Sequence, residues 1–256
     1  MKSSLRAAMR NGKASFGSWI QFGHAGVAEV MAQAGFDWLG IDMEHSVIGI
    51  EAAQMLIQVV ELSGCVPLVR LSSNDPVLTK RVMDAGAHGV IVPTVNSAEE
   101  AEQAVKAVRY PPQGFRGVGL ARAQGYGARF QEYTKELEES AVVVVMIEHR
   151  DGVERAEEIL RVPGVDGVFI GPYDLSASYG IPGQFDHPRM KDALRRILKA
   201  AREAGVAPGI HVVHPPVEQV RDRLAEGFRF IAYCGDMLVL VPAVRQAAAS
   251  LVDLRG

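Results

Sequence analysis

The sequence predicts a single eightfold α/β barrel, the (β/α)8 or TIM barrel, over residues 1–256. Eight short apolar runs each precede a segment with helical periodicity, and about 250 residues is a typical length for this fold. Several of the apolar runs end on a charged residue, as strands do at the active rim of such barrels. We therefore expect one domain without an interdomain linker.

Each unit is assigned from its own local signals. The strands are expected to be buried, because runs of four to eight apolar residues are typical of parallel strands covered on both faces. The first helix is expected to end before Gly35, a suitable C-terminal cap residue. The predicted strand and helix pairs are 16–20 and 25–34, 36–41 and 49–62, 66–71 and 76–85, 89–92 and 98–108, 142–147 and 153–160, 167–170 and 188–204, 206–213 and 216–225, and 228–233 and 237–251.

Two segments depart from this pattern. Residues 110–140 carry a Pro-Pro-Gln-Gly sequence and several further glycines, which favour irregular structure. We expect them to form a long loop between the fourth and fifth strands, over the catalytic rim, where loops usually determine specificity. The last helix, 237–251, is unusually apolar for the outside of a barrel, which predicts burial against another subunit.

Composition favours small-molecule partners in the cytoplasm. The formal net charge is −3, and the 27 Lys and Arg are scattered among 30 Asp and Glu, so no basic surface for nucleic acid or a membrane is expected. Cys65 and Cys234 have no neighbours at metal-ligand spacing and predict neither a disulfide framework nor a zinc site. The sequence has no stretch typical of a signal peptide or a membrane span.

Two acids at neighbouring strand ends predict a metal site. Glu148 follows six apolar residues, and Asp174 follows the next predicted strand. A carboxylate at that depth needs a cation or a hydrogen-bonding partner, and an oxygen-rich pair suits Mg²⁺ or Mn²⁺. An ion pair between Glu148 and Arg150 or Arg122 is the alternative, and the spacing alone does not decide between them.

Three further strand-end residues suggest acid-base chemistry. Asp42 and His45 are close enough in sequence for the carboxylate to orient the imidazole, although a purely structural histidine is as frequent. Glu44 is expected to point the other way. Arg70 ends a predicted strand and suits a substrate carboxylate or a developing oxyanion, with pairing to Glu148 or Asp42 as the competing role.

The remaining candidates carry weaker signals. The segment that starts with Gly171, Pro172, Tyr173 and Asp174 can present backbone N–H groups to a carboxylate or phosphate. Arg122 in the long loop is a candidate for the far end of a substrate, with a solvated arginine as the alternative. His211 and His214 are expected to face opposite sides of a strand and so not to share a metal.

Three long motifs resemble the HpcH/HpaI family of metal-dependent pyruvate aldolases. They are residues 36–45 (FDWLGIDMEH), 108–119 (VRYPPQGFRGVG) and 165–176 (VDGVFIGPYDLS), and the resemblance extends from about residue 17 to the C-terminal helix. It implies a class II aldolase that cleaves a 4-hydroxy-2-oxo acid or a 2-keto-3-deoxy sugar acid into pyruvate and an aldehyde. It also implies a homo-oligomer, commonly a hexamer, in which neighbours exchange the C-terminal helix.

The resemblance assigns a role to each candidate. Glu148 and Asp174 would hold a divalent cation, Mg²⁺, Mn²⁺ or Co²⁺, that chelates pyruvate. His45, supported by Asp42, would assist proton transfer, and Arg70 would contact the keto or enolate oxygen. The backbone of residues 171–174 would receive the pyruvate carboxylate.

One departure from the family pattern leaves the reaction preference open. Family members commonly have Gln two residues before the metal-binding Glu, and here that residue is Met146. The alternatives are an oxaloacetate-type decarboxylase and an acyl-CoA ester lyase, although the scattered charge offers no basic groove for CoA phosphates. A non-catalytic barrel that binds a keto acid is a third possibility, disfavoured because all five site residues are present.

Overall fold

A computed structural model describes residues 5–213 and 216–251. Eight parallel strands pair in sequence order, and β1 closes the barrel by pairing with both β2 and β8, which confirms the (β/α)8 fold. The strands are β1 Ser15–Ile20, β2 Trp38–Asp42, β3 Val66–Arg70, β4 Gly89–Val92, β5 Val142–Ile147, β6 Gly167–Ile170, β7 Ala207–Val212 and β8 Phe230–Gly235.

Helices follow the strands and cover the barrel. They are α1 Leu5–Arg10, α2 Ala25–Gln33, α3 Ile50–Leu62, α4 Pro76–Asp84, α5 Ala98–Val108, α6 Phe130–Ser140, α7 Arg150–Glu154, α8 Ala156–Leu160, α9 Pro172–Ser178, α10 Pro188–Ala204, α11 Glu218–Glu226 and α12 Asp236–Ala249, with a 3-10 helix at Arg122–Gln124. The sequence prediction did not include α1 or α6.

The barrel interior is packed with large side chains. Trp38 stacks on Phe230 with ring centroids 4.1 Å apart, and Trp19 and Phe169 meet edge to face. Met146 belongs to this interior cluster. Below the rings, α1 closes the N-terminal end of the barrel, so the interior is a solid core and the open end is the one where the strands terminate.

The prediction that residues 110–140 lie over the catalytic rim is wrong. This segment follows α5, and a helix in this fold returns the chain to the N-terminal end of the barrel before the next strand begins. The buried Arg116 holds the segment there by donating to Asp84, at the end of α4, over 2.6 Å and to the Tyr133 hydroxyl over 3.0 Å. The insertion therefore lies at the end opposite the strand termini.

The C-terminal helix α12 extends away from the barrel. Asp236 is its only buried residue, and Val239, Leu240, Val241 and Val244 are exposed. The described residues include no helix with the length and apolar character needed to cross a membrane. The cytoplasmic location stays a prediction.

Candidate active site

The buried Asp42 and the partly buried Arg70 form a two-point ion pair at the ends of β2 and β3. Arg70 donates from Nε to Asp42 Oδ1 over 2.9 Å and from Nη2 to Oδ2 over 2.6 Å. The Gln21 side chain also donates to Oδ2, over 3.0 Å. Burial would raise the pKa of Asp42, but the hydrogen bonds and charge of Arg70 lower it below its ordinary value. Asp42 is therefore an anion that fixes the arginine.

Trp19 fixes the guanidinium from a second direction. The Arg70 guanidinium carbon lies 4.6 Å from the centroid of the Trp19 ring, a cation–π contact. With Nε and Nη2 committed to Asp42, the remaining nitrogen, Nη1, faces the Glu44 carboxylate at 3.4 Å. Of the two roles considered for Arg70, pairing with Asp42 is the one observed, and it leaves Nη1 for a further partner.

The expected contact between the Asp42 carboxylate and the His45 ring is wrong. Asp42 Oδ1 accepts instead from the backbone N–H groups of Glu44 and His45, both over 3.1 Å. The cause is a tight turn directly after β2, in which an aspartate at the strand end satisfies the N–H groups that follow it. The His45 side chain is 62% exposed at the rim, with Nε2 3.7 Å from Glu44 Oε2.

Glu44 also differs from its prediction, because it points into the site. Burial raises the pKa of Glu44, Arg70 opposes this rise, and the negative charge of Glu148 adds to it. Its Oε2 is buried and accepts no hydrogen bond from the described residues, although Arg70 Nη1 lies 3.4 Å away as an ion-pair contact. Such an oxygen is costly to bury, which marks the space near Glu44 and Glu148 as a place for a cation or a donor.

Glu148, directly after β5, is buried and held through one oxygen. Thr94 donates to Glu148 Oε1 from its backbone N–H over 2.7 Å and from its hydroxyl over 2.9 Å. The other oxygen, Oε2, lies against Gly171, where an added Cβ would come within 2.7 Å of it. The alternative ion pairs are absent in the described part of the chain, since Arg150 lies beside Asp151 and Arg122 pairs with Glu61.

The second acid, Asp174, comes from the loop against which Glu148 packs. It lies in the first turn of α9, which begins with Pro172 after Gly171, and it is exposed at the rim. Tyr173 beside it is also exposed and meets Phe185 edge to face with ring centroids 4.9 Å apart. In residues 5–213 and 216–251, no group of three or more His, Cys, Asp or Glu side chains is arranged to hold a metal. A metal held by Glu148 and Asp174 would need water and substrate for its other ligands.

Arg122 does not belong to this site. It lies at the N-terminal end of the barrel, where it donates to the carbonyl oxygen of Ala85 over 3.2 Å and to the carboxylate of Glu61. The prediction that Arg122 contacts the far end of a substrate is therefore wrong, because it assumed that residues 110–140 lie over the catalytic rim. His211 has Nε2 2.7 Å from the Cys234 carbonyl oxygen, and His214 lies outside the described residues.

The sequence interpretation missed Trp19, Gln21 and Thr94 and misplaced Glu44. Thr94 follows β4 after one intervening residue. The signal that identified Glu148, a polar residue at the end of an apolar run, therefore also identifies Thr94. Trp19 gives no such signal, because an aromatic residue in a strand is most simply a core residue.

Known proteins that resemble this chain include aldolases. It is 40% identical over 252 residues to a 4-hydroxy-2-oxo-heptane-1,7-dioate aldolase from Shigella sonnei (strain Ss046), with 97% of this chain and 95% of that protein covered. It is 39% identical over 255 residues to a hydroxypyruvate/pyruvate aldolase from Chromohalobacter salexigens, covering 98% of this chain and 97% of that protein.

A solved structure agrees with these relatives. The crystal structure of an HpcH/HpaI aldolase/citrate lyase family protein from Burkholderia cenocepacia J2315 superposes with a TM-score of 0.90 at 34% identity, over 96% of this chain and 98% of that one. The family model described as HpcH/HpaI aldolase/citrate lyase matches residues 15–243, from β1 into α12. This chain therefore belongs to the HpcH/HpaI aldolase/citrate lyase family and is a carbon–carbon lyase of the aldolase type.

Proposed function

We propose that the chain is a metal-dependent class II aldolase that cleaves a 4-hydroxy-2-oxo acid, or a 2-keto-3-deoxy sugar acid, into pyruvate and an aldehyde, and catalyses the reverse addition. The observation that carries this proposal is that a fixed arginine lies at the same rim as an acid, Glu148, whose second oxygen accepts no hydrogen bond from the described residues. Arg70 is locked by Asp42 and Trp19, while Glu148 presents Oε2 beside the loop that carries Asp174.

The residues present fit a divalent cation. Glu148 and Asp174 supply oxygen ligands without a cysteine or histidine, which suits Mg²⁺, Mn²⁺ or Co²⁺. The buried Oε2 of Glu44 accepts no hydrogen bond from the described residues, and the negative charge of Glu148 is close enough to raise the pKa of Glu44, so a cation between the two acids would be stabilised by both. When bound, such a cation acts as a Lewis acid on the 2-oxo group of the substrate.

The chain's own residues then account for the movement of charge and protons. When the C3–C4 bond breaks, its electron pair is delocalised toward the 2-oxo oxygen, and Arg70 stabilises the negative charge there through its remaining nitrogen. His45, exposed at the rim, takes the proton of the 4-hydroxyl group, directly or through a water molecule, as the aldehyde is released. The enolate carbon C3 then takes up a proton, from His45 or from water, to give pyruvate. The backbone of Gly171, Pro172, Tyr173 and Asp174 receives the substrate carboxylate.

Met146 is expected to weaken keto-acid binding. Its side chain is 2% exposed and packs in the barrel interior, where a thioether offers no donor to a substrate oxygen. Met146→Gln is expected to lower the KM for the 2-oxo acid with a smaller effect on kcat. An unchanged KM would show that the substrate does not reach this position.

We also propose a homo-oligomer, most simply a hexamer, assembled through α12. The exposed row of Val239, Leu240, Val241 and Val244 is an apolar surface that water disfavours and a neighbouring subunit would cover. Val241→Glu together with Val244→Glu is expected to reduce the mass measured by multi-angle light scattering. A monomeric wild-type protein would contradict this proposal.

The direct test measures pyruvate released from a racemic 4-hydroxy-2-oxo acid. The purified protein is assayed with EDTA and then with Mg²⁺, Mn²⁺ or Co²⁺ added in excess, and oxaloacetate is tested in parallel. Pyruvate release that is lost with EDTA and restored by a metal supports the aldolase. Metal-dependent activity on oxaloacetate alone would favour the decarboxylase instead.

A further inference from the structure

We propose that Thr94 is the positioning residue of the metal site, because it occupies Glu148 Oε1 and so makes Oε2 the oxygen presented to the cation. This inference rests on the proposed function, since it assigns a task within the same site. Thr94 is not expected to touch the metal or the substrate.

Both polar groups of Thr94 converge on one oxygen. The backbone N–H and the hydroxyl donate to Glu148 Oε1 over 2.7 and 2.9 Å. A carboxylate can only accept, so the hydroxyl proton must point at Glu148. Hydrogen bonds to an ionised group are stronger than those between neutral groups, and two of them on one oxygen fix the rotation of the carboxylate.

The backbone at Thr94 takes an unfavourable conformation to reach this arrangement. Its φ is +51°, in the left-handed region that a β-branched residue rarely adopts. Neighbouring contacts hold it there: the N–H of Val95 donates to the Met146 carbonyl oxygen over 3.0 Å, and the Asn96 side chain donates to the Thr94 carbonyl oxygen over 3.3 Å. Asparagine or glycine would adopt this φ with less strain, but neither has the hydroxyl that reaches Glu148.

The second oxygen of Glu148 is confined by the opposite wall. Oε2 lies against Gly171, and any side chain there would collide with the carboxylate. Gly171 leads directly into the turn that carries Asp174. With Oε1 occupied by Thr94 and Oε2 facing this loop, Glu148 is set to bind through one oxygen, which leaves more of the coordination sphere for water and substrate.

The test compares three substitutions at Thr94 by Mn²⁺ binding without substrate, followed through the electron paramagnetic resonance signal of free Mn²⁺. Thr94→Val keeps the shape and loses the hydroxyl, and we expect its Kd to rise about 10-fold or more, as for other groups that orient metal ligands. Thr94→Ser keeps the hydroxyl and is expected to bind nearly as tightly as wild type. Thr79→Val is the matched control, because the buried Thr79 hydroxyl in α4 donates only to the carbonyl oxygen of Asp75, the residue that caps the start of this helix.

Thr94→Gly separates positioning from stability. Glycine relieves the strain at φ +51° but lacks the hydroxyl, so this variant is expected to melt at a higher temperature than Thr94→Val while both bind Mn²⁺ weakly. In pyruvate release, both variants are expected to need more metal for half-maximal rate and to approach the wild-type kcat at saturating metal. If the affinity for Mn²⁺ instead rose and fell with the melting temperature across the three variants, Thr94 would have only a structural role.

Failure of this inference can be distinguished from failure of the proposed function. If the wild-type protein binds Mn²⁺ and releases pyruvate but Thr94→Val has the same Kd, only the role of Thr94 is refuted. If the wild-type protein binds no Mn²⁺ and shows no metal-dependent activity, the proposed function fails and this inference fails with it.

Discussion

The two ends of the barrel both contain acids paired with basic residues, but they differ in how completely the acid oxygens are used. At the N-terminal end, Asp166 accepts from Arg6 over 2.7 Å and from Arg10 over 3.1 Å through Oδ1, and from the N–H of Val143 over 3.1 Å through Oδ2. Glu61 likewise uses one oxygen for His88 and the other for Arg122. Both oxygens of each of these two acids therefore have a partner.

At the C-terminal rim, two acids keep an oxygen that accepts no hydrogen bond from the described residues. Glu148 is held only through Oε1. The buried Glu44 Oε2 accepts no hydrogen bond from the described residues and has only the longer ion-pair contacts with Arg70 Nη1 at 3.4 Å and His45 Nε2 at 3.7 Å. A fold selected only for stability would give the buried Glu44 oxygen a hydrogen bond, because an unsatisfied buried acceptor costs about 1–3 kcal/mol. The comparison teaches that ion pairs alone do not mark the active end of this barrel; incomplete pairing does.

The largest expected effect comes from removing a metal-binding oxygen at the rim. Glu148→Gln or Asp174→Asn is expected to abolish metal-dependent pyruvate release, a loss on the order of 10³-fold or more, because several kcal/mol of charge stabilisation disappear. Glu61→Gln is the matched change at the other end and is expected to leave kcat nearly unchanged. Metal-stimulated turnover in Glu148→Gln would contradict the assignment of the rim.

The next effect should appear in stability rather than in activity. Asp166→Ala leaves the 6% exposed Arg6 without its carboxylate, which is expected to lower the free energy of unfolding by about 3–5 kcal/mol. Asp42→Ala should cost less stability, because Arg70 still has Glu44 within 3.4 Å, but it should lower kcat/KM much more. Urea unfolding and steady-state kinetics on both variants test this crossed pattern, and parallel losses in both measurements would refute it.

The differences between prediction and structure have specific physical causes. Buried parallel strands are continuous apolar runs, so β4, β5 and β6 begin and end where the sequence analysis placed them, and the acids that follow β5 and β6 were found by the same signal. The prediction placed residues 110–140 at the wrong end because their composition indicates irregular structure but not location. Their location follows from their place in the chain: they come after helix α5 and before strand β5, and therefore lie at the N-terminal end of the barrel. The spacing of Asp42 and His45 was equally ambiguous, since a short separation in sequence permits a bond to the backbone as readily as to the ring.

His45 provides a sharper test of the rim. His45→Ala is expected to slow C–C cleavage about 10²-fold, the usual loss for a general base, while Mn²⁺ binding stays as in wild type. His88→Ala removes the histidine beside Glu61 at the opposite end and is expected to leave cleavage unchanged. Loss of Mn²⁺ binding in His45→Ala would mean that the histidine supports the metal and is not a separate proton acceptor.

The smallest expected effects are opposite responses to pH in the metal-free protein. Burial would raise the pKa of Glu61, but His88 and Arg122 lower it from 4.5 to about 2. Glu61 therefore stabilises the folded state above pH 4.5, and this contribution is lost as the pH falls toward 2. Glu44 has the opposite effect on stability. Its pKa is raised mainly by burial, so its ionisation destabilises the folded state as the pH rises through its titration range.

In urea unfolding at pH 7 with EDTA, Glu61→Gln is expected to be less stable than wild type and Glu44→Gln more stable. If both variants were destabilised, the Glu44 carboxylate would be a satisfied structural group, and the contrast between the two ends would rest on Glu148 alone.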